Sequence, residues 1–99
     1  MENNLKIELE KQLDSVTRNL VMYESIVAEK NFLLTCFSLL NKSENLNDTF
    51  KEALESQRKH AEKVKELFTK NVTNELIKKQ AIELTLKGLK DGTINTENK

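Results

Sequence analysis

His60 is the only histidine in the chain and Cys36 the only cysteine, so imidazole or thiolate chemistry must pass through one of these two side chains. A lone imidazole can carry a proton or accept a phosphoryl group near neutral pH, and a lone thiol becomes a nucleophile when a nearby cation stabilises its thiolate. His60 reads as a solvated or seam-edge histidine. Cys36 sits between Thr35 and Phe37 with no histidine or lysine at neighbouring helical spacing, and reads as a small buried side chain. A zinc site draws about four nitrogen, sulfur or oxygen ligands together, and one histidine with one cysteine does not supply them, so no metal and no cofactor is expected. Glu8, Glu10, Asp14, Glu62 and Glu66 have spacings that any helical surface shows, and no cleft is implied around them. No catalytic residue is assigned.

A histidine phosphotransfer domain is also a small helical bundle with one reactive histidine. The resemblance stops at that level: such sites carry a His-x-Leu-Lys-Gly run, whereas His60 is followed by Ala61, Glu62, Lys63 and Val64. The most basic stretch holds Arg58, Lys59, Lys63, Lys65 and Lys70, but Glu55, Glu62 and Glu66 interleave with it and no aromatic residue offers a stacking platform. Sixteen basic and sixteen acidic residues give a formal charge of zero. Without a net field to hold a polyanion, neither nucleic acid nor an anionic membrane is an expected partner.

The elements that position these residues follow from what the chain lacks. There is no proline, and the two glycines, Gly88 and Gly92, come late, so the usual helix breakers are missing through residue 87. Glycine-rich phosphate loops and nucleophile turns are missing for the same reason. Leu9, Leu13, Val16, Leu20, Tyr23, Val27, Leu34 and Phe37 recur in alternating steps of four and three, with Lys30 at the one missed step. That spacing predicts a helix over 5–40. Residues 41–48 concentrate Asn, Ser and Asp, which compete for backbone groups and make a turn. Asn47, Asp48 or Thr49 can cap the next helix, and Thr49 with Glu52 fits a capping box.

The second helix, expected over 49–70, carries a seam of Phe50, Leu54, Gln57, Ala61, Val64 and Phe68. Its apolar register then slips around Thr69 to Asn74, which predicts a kink or break near Asn71 and a further helix over 72–91 with Ile77 and Leu84 on a second face. Gly92 suits a left-handed cap, and 93–99 is expected to be a disordered tail. The expected fold is therefore all-α: an antiparallel hairpin of two long helices, a coiled-coil pair forming one domain over 1–92 and dimerising into a helical bundle. A chain of this length is expected to bury roughly 65% of its unfolded surface.

Phe32 to Leu40 exceeds a generic helix. Leu34 and Phe37 point into the seam, Leu33 and Leu40 lie to one flank, and Phe32, Cys36 and Leu39 point away from it. A lone hairpin leaves these last three wet, so either Ile77 and Leu84 fold back over them or the patches pair between molecules. Phe32, Leu33, Cys36, Leu39, Leu40, Ile77 and Leu84 are thus the candidate interface, with a homodimer or another protein as partner. The expected function is non-enzymatic: a small chaperone or adaptor for a larger client. A phage or mobile-element inhibitor of a host complex is the alternative, binding through the charged face of Arg58, Lys59, Glu62, Lys63, Glu66 and Lys70. The lysine and asparagine bias suits a low-GC bacterial or phage genome. The absence of a basic-then-apolar leader and the single cysteine suit the cytoplasm, where the three Asn-x-Ser/Thr triplets at Asn41, Asn47 and Asn71 would carry no glycan.

Overall fold

The computed structural model describes residues 2–43 and 45–94, with side chains from residue 4 onward. Two helices account for nearly all of it: α1, Glu2–Asn41, and α2, Asp48–Asp91. They pack against each other as an antiparallel hairpin. The connection over 42–47 is closed from both sides. At its start the Lys42 and Ser43 amides donate to the carbonyls of Leu39 (3.3 Å) and Leu40 (2.9 Å), tightening the last turn of α1. At its end Asn47 Oδ1 accepts the Phe50 amide at 2.8 Å while the Asn47 carbonyl accepts from Lys51 at 3.0 Å. Asn47 is therefore the N-cap, and Thr49, one of the three candidates, falls inside the first turn.

The expected break near Asn71 is not there: α2 is a single helix of 44 residues. Asn71, Val72, Thr73 and Asn74 each lose only about 0.5 kcal/mol of helix propensity, too little to end a helix held by its neighbour. Nor does the seam slip. Counting from Leu54 in alternating steps of four and three reaches Arg58, Ala61, Lys65, Phe68, Val72, Glu75, Lys79, Ile82, Leu86 and Leu89, and every one is buried or half-buried. The heptad runs the length of α2 with charged residues at four of its steps. Gln57, assigned to the seam from the sequence, is exposed instead, as is Phe50. In α1 all the expected seam positions are buried or half-buried, Lys30 included.

The chain packs as two compact units, Met22–Asn71 and Met1–Val21 with Val72–Lys99. In the first, Leu54 and Ala61 are buried, and the rings of Tyr23 and Phe68 meet at 5.5 Å between centroids, tilted by 48°. That is a favourable aromatic pair across the seam. In the second, Val16 and Leu20 are buried together with one carboxylate, Glu75, which is 7% exposed. Glu75 Oε1 accepts from the Lys78 ammonium at 3.0 Å, whereas its Oε2 is buried without a hydrogen-bond partner.

The helix end also departs from expectation. Gly92 takes the left-handed conformation, φ 80°, but Thr93 and Ile94 do not trail away. The Ile94 amide and the Thr93 hydroxyl both donate to the Gly88 carbonyl, at 3.0 and 3.3 Å. A Cβ at residue 88 would stand 2.5 Å from Ile94 Cδ1, so the Ile94 side chain lies against Gly88 in a place that a larger residue would make it leave. The rest of the expected tail, 95–99, is outside the described residues.

Two stability measurements test this reading. Asn47→Ala should lower the unfolding free energy by about 1 kcal/mol in a urea titration, the usual loss on removing an N-cap. Glu75→Leu should leave it unchanged or raise it by about 1–2 kcal/mol, since a half-satisfied buried carboxylate gives way to an apolar side chain of similar size. A clear loss on that substitution would mean that Glu75 is satisfied and contributes to the seam.

Candidate interaction surface

The heptad steps that place Leu34 and Phe37 in the seam put Phe32 and Leu39 on the opposite side of α1, one heptad apart, and both are largely in water at 69% and 63% exposure. Leu33 and Cys36 flank them half-buried, and Leu40 is exposed. Beside them Asn31, Thr35 and Ser38 are exposed, and the Thr35 hydroxyl donates to the Asn31 carbonyl of the preceding turn at 3.0 Å. These residues belong to the 22–71 unit. Ile77 and Leu84 belong to the other unit, where they hold the equivalent position on α2 and are 60% and 63% exposed. Among the described residues, none covers either group.

Sequence reasoning missed three members of this surface, Met22, Phe50 and Leu67, all exposed. The signal was present as a second count of steps. From Met22, steps of four and three reach Ile26, Glu29, Leu33, Cys36 and Leu40. From Phe50, steps of three and four reach Ala53, Gln57, His60, Val64 and Leu67. The seam first assigned to α2 mixes these two rows, taking Leu54, Ala61 and Phe68 from the true seam and Phe50, Gln57 and Val64 from its neighbour.

The other side of the 22–71 unit is polar. A shallow groove there is lined by Leu34, Glu62, Lys65, Glu66, Thr69 and Lys70, and a second by Asn31, Thr35, Ser38 and Leu39 with Leu34 and Lys65. The charges beside them are largely satisfied along α2 itself. Arg58 donates through Nε to Glu55 at 2.9 Å, through a second nitrogen to the same carboxylate, and to Glu62 at 2.6 Å. Lys70 lies 3.7 Å from Glu66. Lys59, Lys63 and His60 are exposed on the same helix. Among the described residues no group of three or more His, Cys, Asp or Glu is placed to hold a metal ion, and no helix is long and apolar enough to cross a membrane.

The hydrogen bond from Arg58 holds the Glu55 carboxyl below the usual glutamate range, and Glu55 in turn raises Arg58. A depressed carboxylate contributes stability that is present above its unfolded pKa and lost as pH falls through its folded one. Wild-type stability should therefore decline as pH drops through and below the ordinary glutamate range, and Arg58→Gln should make that decline shallower. Identical acid limbs for the two proteins in thermal melts would contradict the pairing.

Comparison with protein-family models, with curated proteins and with solved structures finds no match to this chain.

Proposed function

We propose that this chain is a non-enzymatic protein-interaction module, a small chaperone or adaptor for a larger client protein, and that it works as a homodimer of hairpins in the cytoplasm. The observation that supports this reading most is the exposure of Phe32 and Leu39 on one ridge of α1. Apolar side chains left in water forgo roughly 25 cal/mol for each Å² that a partner would cover. Their spacing of one heptad is that of a helix ridge, and the complement of such a ridge is the apolar stripe of another amphipathic helix. With a formal charge of zero, the chain brings little long-range attraction to a polyanion or a membrane, and apolar packing is left as the source of affinity. A blocking inhibitor acting through the charged face would have to displace carboxylates that already engage Arg58 and Lys70.

Fluorescence anisotropy with a labelled amphipathic Leu/Lys helical peptide, beside a shuffled peptide of the same composition, tests the client-binding reading. Wild type should bind the amphipathic peptide and not the shuffled one. Phe32→Ser combined with Leu39→Ser should weaken binding by about tenfold or more, a change of about 1.4 kcal/mol. Equal affinity for both peptides, or no effect of the double substitution, would refute it.

A further inference from the structure

We infer that residues 92–94 form a strap over the end of α2, held shut by the Ile94 side chain seated on Gly88, and that the last turn of the helix opens and closes with it. Neither a client nor a second copy of the chain enters into this device.

Gly88 is the single glycine inside either helix. At an interior helical position glycine is about fivefold less favourable than alanine, so α2 gives up stability at this residue. Three contacts converge on it. The Ile94 amide and the Thr93 hydroxyl donate to its carbonyl at 3.0 and 3.3 Å. The Ile94 side chain lies over its α-carbon, where a Cβ would stand 2.5 Å from Ile94 Cδ1, 2.6 Å from Cγ1 and 3.2 Å from the Thr93 hydroxyl oxygen. Carbon atoms pack at about 3.5–4.0 Å, so an alanine at 88 and a seated Ile94 exclude each other. Gly88 is buried although it lies in the last turn, where helices ordinarily fray.

The return path uses the second glycine. Gly92 holds φ 80°, a left-handed conformation that a residue with a Cβ adopts only at a cost, yet a Cβ on it would meet nothing within 4 Å. The two glycines therefore act by separate means, Gly92 through its backbone and Gly88 through the space above it. A helix leaves its last four carbonyls without partners of its own. Gly88 carries the first of these in α2, and the strap brings two donors to it. Ile94 is 40% exposed, so more than half of its surface is withdrawn from water, which favours the closed position. A seat of this size belongs to the low end of local unfolding free energies, where a segment opens while the rest of the fold stays intact. Opening uncovers the Gly88 backbone and returns its carbonyl to water, and the turn over 88–91 loosens with it.

Amide hydrogen exchange followed by NMR, with urea unfolding of the same proteins, tests the strap on the full chain. The Ile94 amide should exchange about tenfold or more slower than an unstructured amide. Gly88→Ala should reduce that protection by displacing the side chain, and Gly92→Ala by straining the turn, each by about fivefold or more. In Gly92→Ala the Lys90 and Asp91 amides should also exchange faster; unchanged protection there overturns the coupling of the last turn to the strap. In urea, Gly88→Ala should leave wild type unchanged or less stable. In an Ile94→Ala background the same substitution should shift the unfolding equilibrium about fivefold toward the folded state, as at an ordinary interior glycine. An Ile94 amide as unprotected in wild type as in Gly92→Ala overturns the strap. A Gly88→Ala that stabilises both backgrounds equally overturns the seating of Ile94 on Gly88.

Discussion

A helix with one neighbour can hide only one stripe of its surface, and that limit governs this molecule. Both helices of the hairpin commit their stripe to the shared seam, where Val16, Leu20, Leu54 and Ala61 are the buried apolar side chains among the described residues. Whatever else is apolar must then face water or another molecule. Phe32, Leu39, Ile77 and Leu84 are exposed for this geometric reason, and not because the chain failed to fold them in.

The seam itself is economical in apolar groups. Lys30 on α1 and Arg58, Lys65, Glu75 and Lys79 on α2 occupy heptad steps that Leu or Ile would fill in a strong coiled coil. Lysine and arginine can lay their methylene stems along the neighbouring helix and keep the charged end wet, so they hold the repeat while adding less stability. Arg58 does this with its guanidinium gripped by Glu55 and Glu62. Glu75 cannot, being short, and is left with one oxygen unbonded. Polar groups at core steps weaken a pair and restrict the registers it can adopt. Here that means a hairpin with a defined alignment and modest strength, for which an added apolar interface would contribute a large share of the total stability.

Much of this could be read from the residues. The missing prolines and late glycines required long helices, the Asn- and Ser-rich stretch marked the turn, and the seam of α1 was legible because only Lys30 interrupts it. The side of α2 was harder. With charged residues at four of its seam steps, the apolar residues that remain, Phe50, Val64 and Leu67 among them, trace the neighbouring row. Reading hydrophobicity alone therefore produced a slip near Asn71 that the backbone does not make. The exposed ridge of Phe32 and Leu39 followed from helix geometry and could be named in advance. Ile94 could not, because its place depends on the chain turning back after Gly92 so that the Ile94 amide and the Thr93 hydroxyl reach the Gly88 carbonyl inside the helix.

The central claim is that apolar surface left by the hairpin is covered by a second molecule of the same kind, and mass action offers its most direct test. The midpoint of thermal unfolding, followed by circular dichroism over a hundredfold range of protein concentration, should rise steadily with concentration, because folded dimers are favoured over unfolded chains as concentration increases. A midpoint independent of concentration, with a reversible two-state transition throughout, would show that the hairpin is stable alone and that its exposed ridges are not held by self-association.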